Sequence, residues 1–200
     1  MLDVGAGAGA ASLALVPLPA RVVAVDESPA MLDTFRREAD RVGVLHREVL
    51  GRWPDVAQET PTADVVVCHH VLYNVSDVVP FVRALADHAR RRVVVELTAR
   101  HPQVALNDLW RHFHAISRPS GPSAADAVAV LREAGILAHV EGFDRPPRPA
   151  GKRTDLVAFV RRRLCLGAER DAELDALLRT RSPFSGGPAV TLWWDTTVAR

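Results

Sequence analysis

The sequence has little of what several protein classes require. Its two cysteines, Cys68 and Cys165, lie far apart and form no CxxC pair, which excludes a disulfide framework and indicates a reducing compartment. No apolar run approaches the roughly 18 uninterrupted residues of a membrane-spanning helix, and the N-terminus lacks the basic segment of a secretory signal. We therefore expect a cytoplasmic protein without membrane contacts.

An excess of charge of one sign is missing as well. The formal net charge is +1 over 200 residues, which argues against a protein held to nucleic acid by electrostatic attraction alone. What is present is ordinary for a globular protein: 48% of the residues are hydrophobic and 24% are charged. The chain is long enough to bury a sizeable core as one domain.

Apolar segments alternate with helical patterns over the first two thirds of the chain. Strands are predicted at 1–4, 21–25, 42–46, 64–68 and 92–97. A helix is predicted after the first strand, from Gly9 to Val16. This alternation is typical of a parallel sheet with right-handed crossovers. Two later strands, 137–143 and 155–160, follow one another without a helix between them and should pair antiparallel.

A glycine-rich turn directly follows the first strand. Gly5, Gly7 and Gly9 alternate with alanines, and Asp26 ends the next apolar segment. Such a turn brings bare backbone N–H groups close to a ligand, and an acid about 20 residues further on can accept hydrogen bonds from ribose hydroxyls. The two features predict a nucleoside cofactor. The loop alone leaves three interpretations open: a dinucleotide, S-adenosylmethionine, or a tight turn without a ligand.

Three segments resemble the class I S-adenosylmethionine-dependent methyltransferases, particularly the small-molecule type. They are LDVGAGAG at 2–9, VVAVDES at 22–28 and DVVVCHHVLYNVSD at 64–77. The resemblance extends over the strand pattern to about residue 162. It implies an α/β, Rossmann-like, mostly parallel seven-stranded sheet with helices on both faces and an antiparallel C-terminal hairpin. Residues 1–165 would form the methyltransferase domain, and 166–200 would add a helix and strand packed on it.

The resemblance also implies the activity. S-adenosyl-L-methionine would be the cofactor, and the methyl group would pass to an oxygen, nitrogen or carbon atom of a small molecule. An NAD(P)-binding oxidoreductase, or a non-catalytic cofactor-binding protein of the same fold, would use the same loop and is the alternative. In the family, helices precede the first strand and close over the cofactor, so we expect the true start of the protein to lie upstream. A homodimer is left open.

The resemblance assigns cofactor contacts to the ends of the first four strands. Asp3 would orient the methionine amino group or the loop, and Asp26 would hold the ribose hydroxyls. Glu48 would lie near the adenine amino group. The full set of predicted cofactor-binding residues is Asp3, Gly5, Ala6, Gly7, Gly9, Asp26, Glu27, Glu48 and Cys68.

Two histidines follow the fourth strand, where ligands bind in parallel α/β sheets. His69 or His70 could take a proton from an acceptor while it attacks the methyl group. Because successive strand residues point to opposite faces, at most one of them is expected to face the site if the strand continues. A buried histidine with a structural hydrogen bond is the alternative explanation. Glu96, at the end of the fifth strand, is a weaker candidate.

The acceptor pocket is predicted from Tyr73, Trp110 and His114. In the family, an insertion after the fifth strand often covers this pocket, and a helix at 103–115 carries the last two residues; core packing is the alternative for Trp110. His112 and His114 lie about 200° apart around that helix, so they cannot share one metal ion, and no metal is expected. The (Asn/Asp)-Pro-Pro-(Tyr/Phe) motif is missing from the sequence, which disfavours nucleic-acid substrates further.

Overall fold

The computed structural model describes residues 1–146, 151–180 and 186–196. The strands are β1 (Leu2–Val4), β2 (Arg21–Asp26), β3 (Leu45–Leu50), β4 (Ala63–His69), β5 (Ala89–Thr98), β6 (His139–Arg145) and β7 (Gly187–Asp195). The helices are α1 (Pro29–Val42), α2 (Val78–His88), α3 (Asn107–His114), α4 (Ala124–Glu133), α5 (Arg153–Arg163) and α6 (Asp171–Arg179). Short 3-10 segments lie at Leu13–Leu15, Ala57–Glu59, Leu72–Asn74, Pro102–Leu106 and Ala168–Arg170.

The strands form one seven-stranded sheet in the order β3-β2-β1-β4-β5-β7-β6. β1 pairs in parallel with β2 and β4, and the β2–β3 and β4–β5 pairs are parallel too. β7 runs the other way beside β5, since Ala99 N donates to Pro188 O and Thr196 N donates to Arg91 O. The predicted mostly parallel, seven-stranded Rossmann-like sheet with an antiparallel C-terminal pair is confirmed.

The strand predicted at 155–160 is wrong, because these residues belong to α5. Val157, Val160 and Leu164 are buried at helical spacing, whereas Phe159 is exposed. The sequence at 157–160 favours a strand because three of its four residues are β-branched or aromatic. In the structure, however, the buried positions recur with a period near 3.6 residues rather than 2. The seventh strand is the last apolar segment, β7, which was expected only as an extra strand.

The helix predicted from Gly9 to Val16 is also wrong. These residues form turns and the single 3-10 segment Leu13–Leu15. Gly9 has a φ of +87°, outside the helical region, and Pro17 closes off the segment before a full helix can form. The third strand begins three residues later than predicted, since α1 continues through Val42.

The chain divides into two compact units. Among the described residues, the first unit comprises 1–97, 124–142 and 190–196, and the second comprises 98–123, 143–146, 151–180 and 186–189. This division concerns packing alone, so the assignment of 1–165 to one domain stays a prediction. Within the described ranges, no helix has the length and apolar character needed to cross a lipid bilayer.

Each unit has its own buried core. In the first unit the central strands are apolar on both faces, as expected for a parallel sheet covered by helices. Leu2, Val66 and Val93 are completely buried there. The second unit buries a leucine- and valine-rich cluster from α3, α5, α6 and the segment before α3: Leu106, Leu109, Val157, Val160, Leu164, Leu174 and Leu178.

Candidate functional site

The turn after β1 is fixed by backbone hydrogen bonds and by glycine backbone angles. The N–H groups of Gly5 and Ala6 both donate to the carbonyl of Val25, at 2.8 and 3.1 Å. Gly5 and Gly7 have φ values of +71° and +53°, in the left-handed region that favours glycine. The loop therefore presents its backbone at the carboxyl end of β1, where ligands bind in open parallel sheets.

The Asp26 carboxylate links this loop to the end of β2. Its Oδ2 accepts a hydrogen bond from Gly7 N at 2.8 Å, and its Oδ1 accepts one from Ser28 N at 2.9 Å. Each carboxylate oxygen has two lone pairs and so can accept one more hydrogen bond. The glycine loop and Asp26, which the sequence predicts to act together, are thus in direct contact. The ribose role of Asp26 stays a prediction.

Asp3 lies beneath the loop, with only 1% of its surface exposed. Its Oδ2 accepts a 2.6 Å hydrogen bond from the Ser12 hydroxyl. Burial raises the pKa of Asp3 to about 6, even though the Ser12 hydrogen bonds act in the opposite direction. Of the two roles expected for Asp3, this contact supports orientation of the loop.

The raised pKa of Asp3 predicts a pH-dependent stability. A carboxyl that holds its proton more tightly when folded stabilises the protein fully below its unfolded pKa of 3.8, and this stability is lost as the pH rises through about 6. A shift of this size corresponds to about 3 kcal/mol. Asp3→Asn cannot ionise, so its free energy of unfolding relative to wild type should rise by about 2 kcal/mol between about pH 4, where the unfolded carboxyl is already partly ionised, and about pH 7.5.

Urea unfolding of both proteins at the two pH values measures this change. The Asn side chain retains an oxygen that can accept from Ser12, so the comparison isolates ionisation from loss of the contact. A wild-type-to-variant difference that is equal at both pH values would show that Asp3 does not titrate in this range.

Glu48, Glu27 and Cys68 have different environments. Glu48 is half-buried on β3, and its Oε1 lies 2.7 Å from His46 Nδ1. Glu27 is exposed beside Asp26. Cys68 is completely buried in β4, and burial raises the pKa of its thiol far above the usual value, so it packs as a small apolar residue rather than acting as a thiolate. The cofactor contacts expected of all three stay predictions.

The end of β4 brings two histidines to one carboxylate. β4 ends at His69, and His70 has a left-handed φ of +61°, so strand alternation no longer separates the two side chains. His70 Nε2 lies 3.3 Å from Glu96 Oε1, and His69 Nδ1 lies 4.0 Å from Glu96 Oε2. The expectation that only one histidine faces the site assumed that the strand continues through His70, and the strand ends at His69. Burial lowers the pKa of His69, and the Glu96 charge partly opposes this, which favours a neutral imidazole.

The segment after His70 packs on the glycine loop. A Cβ placed on Gly5 would overlap the side chain of Val71. Tyr73 lies in the 3-10 segment that follows and packs, partly buried, against the core of the first unit. The Tyr73 contribution to an acceptor pocket stays a prediction.

Trp110 and His114 lie on α3 in the second unit. Their rings are 4.8 Å apart, and the Arg118 guanidinium lies 5.0 Å from the Trp110 ring. His114 Nε2 donates to the carbonyl of Leu164 at 2.7 Å, so this ring nitrogen serves the packing of the unit. The neighbouring His112 contacts Glu173 at 2.7 Å. The acceptor-pocket role of Trp110 and His114 stays a prediction.

Comparison with known proteins covers the part of the chain that holds these residues. The family model of a methyltransferase domain matches residues 2–97, which contain the loop, Asp26, both histidines and Glu96. Residues 2–97 thus resemble the methyltransferase domain of the class I S-adenosylmethionine-dependent methyltransferases. The family resemblance inferred from the three sequence segments is thereby confirmed.

A curated relative and two solved structures extend the comparison. Ubiquinone biosynthesis O-methyltransferase from Methylocella silvestris is 36% identical over 83 residues, which cover 42% of this chain and 32% of that protein. The match thus spans about a third of the relative's length. The relative supports the resemblance through its sequence alone.

Solved structures match nearly the whole chain. Magnesium protoporphyrin IX methyltransferase from Synechocystis PCC 6803, with bound SAH, has a TM-score of 0.61 at 17% identity, covering 98% of this chain and 73% of that one. The YcgJ protein from Bacillus subtilis has a TM-score of 0.61 at 19% identity, covering 98% and 91%. At these identities the similarity concerns the fold.

Proposed function

We propose that this protein binds S-adenosyl-L-methionine at the glycine loop and Asp26 and transfers its methyl group to an oxygen, nitrogen or carbon atom of a small molecule. The observation that carries the proposal is the contact between Asp26 and Gly7. One carboxylate holds a loop N–H group and keeps lone pairs for two ribose hydroxyls. The O-methyltransferase name of the Methylocella relative and the SAH bound to the Synechocystis structure support the same activity.

In this proposal the residues of the chain bind the cofactor, align its methyl carbon with the acceptor and provide a proton acceptor. When bound, the cofactor provides an electrophilic methyl carbon whose bond to sulfur breaks as the acceptor attacks. The loop backbone and Asp26 would hold the amino-acid and ribose portions of the cofactor and so align that carbon with the acceptor. His69 and His70 lie at the end of β4, where a proton released by the acceptor would be taken up. The net charge of +1 supports a small molecule over nucleic acid as the acceptor.

Calorimetric titration of the wild-type protein with S-adenosylmethionine, S-adenosylhomocysteine and NADH tests the proposal. We expect saturable binding of both sulfur compounds, because Asp26 and the loop recognise the shared ribose and amino-acid portions. We expect no binding of NADH at the same concentrations. Binding of NADH without either sulfur compound would favour an oxidoreductase, and cofactor binding without methylation of any acceptor would favour a non-catalytic protein.

A further inference from the structure

Arg118 is a partly buried cation of the second unit whose side-chain contacts are with neutral groups. Its Nη1 donates to Gln103 Oε1 at 3.0 Å, and its guanidinium carbon lies 5.0 Å from the centre of the Trp110 ring. No carboxylate oxygen of the described residues lies within ion-pair distance of it, and the ranges 147–150, 181–185 and 197–200 contain no Asp or Glu. Because charges removed from water normally have a charged partner, the guanidinium is available to an anion.

Other arginines of this unit are paired with carboxylates. Arg153 Nε lies 2.6 Å from Asp175 Oδ1. Arg161 Nε lies 3.0 Å from Asp171 Oδ1. Arg118 differs from both, because its hydrogen-bond partner is an uncharged amide.

Hydrogen bonds also hold the backbone that carries Arg118. Asn107 Nδ2 donates to the carbonyls of Arg118 and Pro119, at 3.2 and 3.1 Å. Asn107 is the first residue of α3, and Trp110 lies on the same helix. One helix therefore contacts both the backbone and the guanidinium of Arg118, which restricts the directions in which its N–H groups can point.

Two nitrogens of the guanidinium are left for a ligand. In the part of the chain that the structure describes, Nε and Nη2 of Arg118 have no hydrogen-bond partner, and neither nitrogen is fully buried. Nε–H and the neighbouring Nη2–H point in the same direction in the plane of the group. This planar fork matches the two oxygens of a carboxylate, which can accept both hydrogen bonds at once.

The positive charge of this cluster is on Arg118 rather than on the nearby His101. Burial lowers the pKa of His101, and the Arg118 charge lowers it further. His101 Nδ1 accepts a 3.1 Å hydrogen bond from Gln103 N, so this nitrogen carries no proton. The guanidinium is therefore the group of this cluster that would recognise an anion.

We propose that Arg118 binds the carboxylate of a small organic molecule, with Nε–H and Nη2–H as the two donors. Gln103 and Trp110 hold the guanidinium. One guanidinium balances the single charge of a carboxylate, whereas a phosphate group carries about −1.5 to −2 at pH 7 and would need further donors. Every residue of this site lies in the second unit, so the proposal does not depend on the proposed binding of S-adenosylmethionine.

NMR titration of the whole isotope-labelled chain at constant ionic strength tests the proposal. Benzoate is the carboxylate probe, benzamide is its neutral match, and inorganic phosphate is the other oxyanion. The Arg118 Nε–H signal is identified by its loss in Arg118→Lys. We expect benzoate to shift this signal saturably and benzamide to leave it unchanged. Absence of saturation by benzoate, or saturation by phosphate at lower concentrations, would overturn the proposal.

Gln103→Glu tests the role of the charge without removing Arg118. The new carboxylate would take the position of the amide and neutralise the guanidinium, so the Kd for benzoate should rise at least about tenfold. The exchange keeps the size and shape of the side chain, so the fold should be retained. Gln58→Glu adds the same charge at an exposed position of the first unit and should leave the Kd unchanged.

Variants of Arg118 itself complete the test. Arg118→Gln removes the charge and should abolish saturable binding of benzoate. Arg118→Lys keeps the charge but loses the fork, so its Kd should lie above that of wild type. Wild-type affinity in a folded Arg118→Gln would overturn the proposal. Equal Kd values for Gln103→Glu and Gln58→Glu would overturn it even if Arg118→Gln does not fold. Benzoate binding is measured without cofactor, so its failure would leave the proposed function untouched.

Discussion

Replacing Asp26 with alanine is expected to weaken S-adenosylmethionine binding by about 3–5 kcal/mol. Each ribose hydroxyl would lose a hydrogen bond to a charged acceptor, and such bonds contribute about 1.5–3 kcal/mol each. The Gly7 N–H group would also lose its hydrogen bond to Asp26. The loop of the variant would then be less well ordered before the ligand binds. In calorimetry the Kd should rise roughly a hundredfold to several thousandfold.

Two variants make this result specific to Asp26. Asp33→Ala removes an exposed acid of α1 that pairs with the neighbouring Arg36 in a surface contact, so its Kd should stay near wild type. Asp26→Asn keeps one oxygen acceptor but loses the charge, and its Kd should lie between those of wild type and Asp26→Ala. A Kd for Asp26→Ala within about twofold of wild type would rule out the ribose assignment, since twofold is only about 0.4 kcal/mol.

Replacing Gly5 with alanine should lower the free energy of unfolding by about 2–5 kcal/mol. The φ of +71° costs an L-residue about 1–2 kcal/mol. Overlap of the new Cβ with Val71 adds about 1–3 kcal/mol, because the core around the loop must shift to admit it. Thermal or urea unfolding measures the loss, and cofactor affinity should fall in parallel because the loop is displaced.

Gly7 provides the matched control for this substitution. Its φ of +53° is similar, but among the described residues other than Gly7 and its two chain neighbours, no heavy atom lies within 4 Å of the position that its Cβ would occupy. Gly7→Ala should therefore show only the backbone cost of about 1–2 kcal/mol. Adding Val71→Ala to Gly5→Ala should recover the stability lost through the Cβ overlap but not the stability lost through the backbone angle. The two substitutions should therefore show a favourable coupling energy. Equal losses for Gly5→Ala and Gly7→Ala would exclude the overlap with Val71.

Much of the sheet could be predicted from the sequence because its strands are buried on both faces. The β-branched runs at 21–25 and 64–68 have no polar alternation, and this composition is typical of central parallel strands. The glycine loop and Asp26 could be predicted because they lie at a fixed separation along the chain. Residues 155–160 have local β propensity that predicts a strand, but their buried positions have helical spacing, and tertiary packing makes them part of a helix.

The rest of the site depends on contacts between residues far apart in sequence. Ser12 meets Asp3 only because the loop folds back over β1, and a serine after a glycine run carries no signal of that partner. Glu96 meets His70 because β4 and β5 are neighbours in the sheet and end at the same level. The topology predicts that the ends of β4 and β5 are neighbours. Whether the His70 ring reaches the Glu96 carboxylate depends on the left-handed backbone angle of His70, which its residue type does not indicate.

The hydrogen bonds of Asp26 to Gly7 and Ser28 join the end of β2 to the glycine loop, so the carboxylate proposed to hold the ribose also holds the loop itself. Position 26 therefore contributes to two equilibria with one side chain. Any substitution there changes folding stability together with ligand affinity, so neither property can be adjusted at this position without changing the other.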